Sequence, residues 1–404
     1  MDAIEKENSK LKGLLYKEFA LKKIPSSIGK LIDLFSTVTF NSADHKSADV
    51  LGQAYEYFLG QFALAEGKGA GAFYTPESIV KTIVEILAPK KGRLYEPAIG
   101  SGGMVVQSEK FMESHGGEKG DLYIYGQEYT LTTWKMAAMN LILRGLDFDL
   151  GSENADTLLR DLHPDLRADY VMANPPFNQA DWGASKVAED VRWKYGVPPN
   201  SNANYAWVQH IIHHLNDTGR AGVVMPNGFL TTNTNGENLI REKIIKDDLI
   251  DCVVALPSKL FINTQIPACL VFINKNKKQK KHTLFIDARS LGQLMDGSRT
   301  QWIFTQDHIG QMTSVYHAWS SGDDSYQNEL GFCASVEMAD IQKHGYILSP
   351  GRYVGAAEGD AVDDEVFADK MAQLTDQLAE QLAESEIITS KIKKGLGVLN
   401  CTQN

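Results

Sequence analysis

The residues best suited to chemistry lie in one stretch, Ala168-Asp169-Tyr170-Val171-Met172-Ala173-Asn174-Pro175-Pro176-Phe177. An apolar, strand-like run ends there in an amide, two prolines and an aromatic ring. Neither proline can donate to a sheet ladder, so the strand must stop at Asn174. The residue before each proline is pushed towards extended geometry, which sets the Asn174 side chain and the Pro175 carbonyl on a stiff backbone. An amide oxygen beside a backbone carbonyl can accept both hydrogens of an exocyclic amine, and Phe177 can stack on the ring that carries it. Open α/β sheets bind ligands at such a strand end.

Other positions can hold a ligand beside it. Arg93 to Met104 reads as a short strand running into a glycine-rich turn, Gly100-Ser101-Gly102-Gly103, and then a helix. Such a turn admits a ligand close to the backbone, with helix N–H groups facing it. A dinucleotide fingerprint would need Gly-x-Gly-x-x-Gly, so a NAD reading is disfavoured; an ordinary strand-to-helix connection fits the turn equally well. The second strand, Leu122 to Gly126, ends in Gln127-Glu128, where an acidic side chain can hold a ribose diol or simply be solvated. Asn154-Ala155-Asp156 closes the loop before the central strand. The helix Tyr205 to Leu215 carries His210, His213 and His214, which read as surface histidines because no carboxylate or Cys completes a metal set.

The elements that must position these residues follow from hydrophobic period. Residues 1–70 read as a helical N-terminal region, with Leu11, Leu14, Leu15 and Phe19, then Val50, Leu51, Tyr55 and Phe58, at helical spacing. Phe73-Tyr74-Thr75-Pro76 starts a helix over Glu77 to Leu87. A helix over Thr132 to Arg144 follows the second strand. After Phe177 comes a long polar loop with Trp182, Trp193, Tyr195 and Pro198-Pro199, either a lid or an excursion held by its own aromatics. Strands at Ala221 to Met225 and Ile250 to Leu256 flank a helix near Asn238 to Ile245. The runs Ala268 to Ile273 and Thr283 to Asp287 are joined by a link too short for a parallel crossover, so they are expected to form an antiparallel hairpin whose lysine-rich tip is solvated rather than a phosphate contact, the alternative reading. From about residue 288 the chain reads as loop-rich. Residues 364–394 then read as one long helix with a narrow seam of Phe367, Met371, Leu374, Leu378 and Leu382, suited to a partner helix.

Bulk properties narrow the function classes. A chain of 404 residues with ordinary globular composition suggests two or three domains. No apolar run approaches the roughly 18 residues of a membrane span, and the N-terminus lacks a signal-peptide core, so a cytoplasmic protein without membrane contact is expected. The four cysteines are widely spaced and read as reduced thiols. A net charge of -11 is unlike that of a protein gripping nucleic acid alone, so a nucleic-acid role calls for a basic partner or a local patch.

Taken in series, Phe73-Tyr74-Thr75-Pro76, Glu96-Pro97-Ala98-Ile99-Gly100-Ser101-Gly102-Gly103, Gly126-Gln127-Glu128, Asn154-Ala155-Asp156 and Met172-Ala173-Asn174-Pro175-Pro176-Phe177-Asn178 resemble an N6-adenine DNA methyltransferase. More closely, the chain resembles the modification subunit of a type I restriction–modification system, from about residue 50 to its C-terminus, including Val224-Met225-Pro226-Asn227-Gly228 and Pro350-Gly351-Arg352-Tyr353. The resemblance implies an α/β fold with a Rossmann-like methyltransferase sheet, mostly parallel and ending in an antiparallel hairpin, with helical N- and C-terminal extensions. The catalytic domain would span 71–345, and 346–404 would be a tail carrying the partner-binding helix. S-adenosylmethionine would be the methyl donor. Phe73, Tyr74, Thr75 and Pro76 would line its methionine side, and Glu96 with Gly100, Ser101, Gly102 and Gly103 would form its cradle. Glu128 would hold the ribose and Asp156 would sit by the cofactor adenine. The target adenine would leave the DNA stack. In the catalytic motif Asn174-Pro175-Pro176-Phe177, Asn174 and Pro175 would accept its N6 hydrogens and Phe177 would stack on it. Transfer by orientation needs no general base. The implied partners are DNA, a specificity subunit on the C-terminal helix and a restriction subunit, with two copies of this chain per complex. Two alternatives stay open: a catalytically weak cofactor-binding scaffold, and a protein-glutamine methyltransferase, whose substrate glutamine also presents a planar amide to an Asn-Pro-Pro motif.

Overall fold

The computed structural model describes residues 2–8, 11–15, 75–261, 266–296 and 301–355, together with Tyr55, Phe58, Ser298 and single positions between Thr375 and Thr389. The chain divides into two compact units, Met1–Val354 and Gly355–Asn404. Within the first unit the elements run α1 (Asp2–Glu7), α2 (Glu77–Leu87), β1 (Gly92–Glu96), α3 (Gly103–Ser114), β2 (Leu122–Gly126), α4 (Leu131–Leu143), β3 (Phe148–Asp149), β4 (Ala168–Ala173), α5 (Asn204–His214) and β5 (Leu215–Pro226). They continue with α6 (Glu237–Lys246), β6 (Ile250–Ala255), β7 (Ala268–Asn274), β8 (His282–Asp287), β9 (Gln293–Leu294), β10 (Trp302–Ile303), α7 (Gln306–Ser321), β11 (Cys333–Glu337) and α8 (Met338–Lys343).

One sheet organises this unit, in the order β11-β8-β6-β7-β5-β4-β1-β2-β3, and β9 pairs with β10 in a separate ribbon. Strands β3, β2, β1, β4 and β5 run parallel, whereas β7 is antiparallel to both β5 and β6. The period of two sends alternate side chains to opposite faces. Leu94 and Met172 join a core with α2 and α3, while the adjacent Tyr95 and Val171 join one with α5 and α6. Burial on both faces is why these strands read as nearly continuous apolar runs.

The mainly parallel sheet with an antiparallel strand is as expected, but the pairing of its hairpin differs. Strands β7 and β8 do run in opposite senses, yet β6 lies between them: β7 pairs with β6, and β8 pairs in parallel with the other side of β6. The lysine-rich link therefore steps across the start of β6. Lys277 makes that step possible, since its buried ammonium donates to Asp248 Oδ1 at 2.7 Å, Ile250 O at 2.9 Å and His282 O at 2.5 Å. At this position the tip is a buried junction and not a solvated turn.

The stretch after 288 is less loop-rich than its composition suggests. Helix α7 opens on a capping box, with Thr305 Oγ1 accepting from His308 N and His308 Nδ1 accepting from Thr305 N. It buries Ile309, Met312, Tyr316 and Trp319, one face at helical spacing. The Pro350-Gly351-Arg352-Tyr353 motif packs on the sheet, with Tyr353 stacked on Phe285 at 4.3 Å. Cys252, Cys269 and Cys333 are buried free thiols. Of the C-terminal seam, Phe367, Met371, Leu374 and Leu378 lie outside the described residues; Leu382 is helical and exposed. Most of 1–70 lies outside them too, although Tyr55 is helical and its hydroxyl donates to Met136 O at 3.0 Å.

Candidate active site

The glycine turn, Glu128 and Asp156 meet at the carboxyl ends of β1 and β2. Pairing continues past the strands, where Gln127 N donates to Glu96 O at 3.1 Å and Ile99 N to Gln127 O at 3.0 Å. Gly100 N is thereby delivered to Glu128 Oε2 at 3.1 Å, while Oε1 accepts from Thr130 N at 2.9 Å. Gly100 (φ +56°) and Gly102 (φ +79°) are left-handed, which is why the turn needs glycine at both. Gly102 caps α3, whose first-turn amides have no intrahelical acceptors. Ser101 is buried, its carbonyl held by Asn140 Nδ2 at 2.9 Å. Ala155 N donates to Glu128 O at 2.9 Å, so the loop before β4 folds onto the end of β2. Asp156 Oδ1 caps the next turn through Leu158 N (2.9 Å) and Leu159 N (3.2 Å).

Two carboxyls share this end of the sheet. Glu96 is 3% exposed, and its Oε2 has no partner among the described residues. Burial, and then the Glu128 charge, push its carboxyl well above the usual glutamate range. Burial also raises Glu128, against the opposing pull of N–H bonds from Thr130, Gly100 and Tyr129. A ligand bringing hydroxyl and ammonium donors would satisfy the orphaned oxygen and these carboxylates. The ribose diol and ammonium of S-adenosylmethionine fit that donor set, and the α3 amides suit its carboxylate.

The Asn174-Pro175-Pro176-Phe177 segment lies one strand over. Asn174 follows β4, which sits between β1 and β5. Its Nδ2 donates to Thr75 Oγ1 at 3.0 Å, and in that orientation Oδ1 is left to accept from a ligand. Pro175 is buried, Pro176 is exposed and Phe177 is half-buried, edge-on to Phe261 with ring centroids 6.3 Å apart. Asn178, left-handed at φ +53°, clamps the motif to the start of α5: its N–H donates to Asn204 Oδ1 at 3.0 Å, and Asn204 Nδ2 donates to Asn178 Oδ1 at 2.9 Å. Pro76 is the N-cap of α2, but Phe73 and Tyr74 lie outside the described residues. Phe261 and the Thr75–Asn174 bond were not anticipated from the sequence. Nothing local marks Phe261, which reaches Phe177 only through the sheet topology.

The loop after Phe177 is an ordered excursion held by its aromatics. Trp182 Nε1 donates to Pro199 O at 2.9 Å, Trp193 Nε1 to Val187 O at 2.6 Å, and Tyr195 Oη to Asp247 Oδ2 at 2.8 Å. The histidines of α5 correct the surface reading: His210 and His214 are fully buried, and His213 half-buried. A carboxylate does meet them, since Asp161 Oδ2 lies 2.9 Å from His214 Nε2, and Asp161, His210 and His214 bring ligand atoms within 4.8 Å of one another. The cluster already holds a cation, however: Arg192 Nη1 lies 2.9 Å from His210 Nδ1. A cavity of about 650 Å³ beside Arg220, Asp251, Asn274 and Tyr316 lies at the amino ends of β5 and β6, away from Asn174.

Parallel strands ending in a glycine turn and acidic residues, with an antiparallel β7 inserted beside β5, form a Rossmann-like methyltransferase sheet. The family model for N-6 DNA Methylase matches residues 46–361. The type I restriction enzyme HindI methylase subunit of Haemophilus influenzae is 46% identical over 98% of this chain and 90% of its own length. The MjaIX methylase subunit of Methanocaldococcus jannaschii is 40% identical over 98% and 71%. Among solved structures, the type I restriction-modification system methyltransferase subunit from Streptococcus thermophilus superposes with a TM-score of 0.73 at 27% identity, covering 87% of this chain and 74% of that one. The chain belongs to the N-6 DNA methylase family, as a methylase subunit of the type I restriction–modification kind, and it transfers a methyl group from S-adenosylmethionine to N6 of adenine in DNA. No described helix is long and apolar enough to cross a membrane.

Proposed function

We propose that Asn174 Oδ1 and the Pro175 carbonyl accept the two N6 hydrogens of a flipped adenine, Pro176 keeps that carbonyl rigid, and Phe177 stacks on the base. Amine hydrogens held in that way turn the nitrogen lone pair out of the ring plane and towards the donor. S-adenosylmethionine supplies the electrophilic methyl group. Glu128 would take its ribose diol, Glu96 and the amides of the Gly100-Ser101-Gly102-Gly103 turn its methionine end together with Phe73, Tyr74, Thr75 and Pro76, and Asp156 its adenine. These residues bind and orient, so the rate comes from alignment and exclusion of water and not from a proton relay. The observation that carries the reading is the placement of the Asn174 amide at the carboxyl end of β4, where its hydrogen bond with Thr75 Oγ1 anchors one end and leaves the other to a ligand.

The catalytic domain would comprise 71–345, preceded by a helical region over 1–70. A net charge of -11 favours DNA binding through a partner. A specificity subunit docked on the 364–394 seam would provide it, with a restriction subunit and a second copy completing a cytoplasmic assembly. The test is methyl transfer to DNA by Asn174→Ala with the specificity subunit present. Turnover should fall at least about a hundredfold, as when a preorganised polar contact to the reacting group is removed, with calorimetric affinity for S-adenosylhomocysteine within about threefold of wild type. Equal loss of cofactor affinity and turnover would remove Asn174 from the amine site.

A further inference from the structure

Arg192 lies in the excursion after the catalytic motif, and only 4% of it is exposed. All five of its N–H groups are used. Nε donates to Asp190 Oδ1 at 2.9 Å and Nη2 to Asp190 Oδ2 at 2.6 Å. Nη1 donates to Thr157 O at 3.0 Å, and Nη2 to Leu158 O at 2.6 Å. The fifth donor points at His210 Nδ1, 2.9 Å away. A guanidinium has no acceptor, so Nδ1 must carry the lone pair and Nε2 the proton. That proton faces Tyr95 Oη at 3.0 Å. Burial, followed by the surrounding positive groups, drives the His210 imidazole well below its usual range and keeps it neutral.

The two carbonyls Arg192 holds belong to the turn that Asp156 caps. The same turn is tied to β1 through Thr157 Oγ1, which donates to Pro97 O at 2.6 Å, and Tyr95 immediately precedes Glu96. Thus one guanidinium joins the excursion after Phe177, the Asp156 turn and, through His210, the strand that ends in Glu96.

We propose that Arg192, oriented by the neutral Nε2–H tautomer of His210, is a positioning residue that holds the Asp156–Leu158 turn against the end of β1 and so sets the adenine side of the cofactor pocket. The proposal rests on the cofactor role given to Asp156. Lysine cannot replace this arginine, because an ammonium has three donors and no planar fork. Displacing the turn by about an ångström costs alignment on the scale of tenfold or more.

The test uses the full chain with its specificity subunit. Arg192→Lys and His210→Leu should each weaken S-adenosylhomocysteine binding by roughly tenfold and raise KM for the methyl donor in parallel, with kcat at saturating donor within about threefold. His210→Asn, whose amide oxygen stands near the lost Nδ1, should restore most of the affinity, which a purely structural role would not predict. Asp156→Asn serves as the reference. If Asp156→Asn weakens binding while Arg192→Lys, folded by circular dichroism, binds as wild type, the positioning role is overturned. If Asp156→Asn itself binds normally, the cofactor role of Asp156 is what fails. A uniform fall in kcat and affinity that tracks lost thermal stability, unrescued by His210→Asn, also overturns the proposal.

Discussion

Thr75→Val isolates the bond that anchors the amide proposed to hold the substrate amine. Valine keeps the volume and removes the Oγ1 that accepts from Asn174 Nδ2 at 3.0 Å. A hydrogen bond of this kind is worth about 1 kcal/mol net, a bias of roughly fivefold for the anchored amide over an unanchored one. In the variant the half-buried Nδ2 faces a methyl group, and an unsatisfied donor costs about 1–3 kcal/mol. Both effects loosen the amide, since the hydroxyl, which donates as well as it accepts, anchors it in either orientation and the methyl group anchors it in neither. Loss of about 1 kcal/mol should lower the productive population by at most about fivefold, and the unpaired Nδ2 extends that limit towards about a hundredfold. The assay is single-turnover transfer of a radiolabelled methyl group to DNA at saturating cofactor, alongside Thr75→Ser, which keeps the hydroxyl and should retain the rate. If Thr75→Val transfers at the wild-type rate, the bond does not orient Asn174. If it loses cofactor affinity but not the single-turnover rate, Thr75 serves the methionine side alone.

Glu96→Gln should show a pH signature. The folded-state carboxyl is raised, so its contribution to stability is fully present below the usual value near 4.5 and is lost as pH rises through the raised value. The variant should accordingly melt higher than wild type at pH 8 and no higher at pH 4, and equal differences at both would refute the burial argument. For Gly102→Ala, the added Cβ would meet Asn140 Nδ2, Leu141 and Ala137 at 3.8–3.9 Å, ordinary contact, so the cost is the left-handed backbone, about 1–2 kcal/mol. Denaturant melts should show that loss, with cofactor affinity changed by less than about threefold; complete loss of binding would mean that the side chain enters the ligand's path. Deleting 364–404, or the pair Leu374→Asp and Leu378→Asp, should leave cofactor binding intact and abolish capture of the specificity subunit in a pull-down, and retained capture would place the partner surface elsewhere.

The fold was legible wherever the signal is local. Prolines 175 and 176 end β4 after Ala173, and the helices at 77–87, 131–143 and 204–214 follow their apolar periods to within a residue or so. Helix α7 was equally legible in principle, but its capping box uses His308 where Glu or Gln is the usual sign. The β7–β8 link failed for a different reason. A lysine inside a lysine run reads as solvated, and only the convergence of Asp248, Ile250 O and His282 O makes burial of Lys277 tolerable. Those acceptors arrive by topology, and β6 must already lie between the two strands for them to meet.

The site divides along the same line. Glycines 100 and 102 and prolines 175 and 176 announce themselves because each imposes a backbone conformation that its own sequence position reveals. Partners do not. Thr75 meets Asn174 across 99 residues, Asp161 meets His214 across 53, and Arg192 holds carbonyls 34 and 35 residues upstream. The histidines of α5 are buried because that helix is covered by the sheet on one side and by the Trp182–Trp193 excursion on the other, and each buried imidazole then has to find a polar partner. The Asn174 amide follows the same rule. Its type and place could be read from four adjacent residues, but its anchor is Thr75, carried in by the segment that leads into α2.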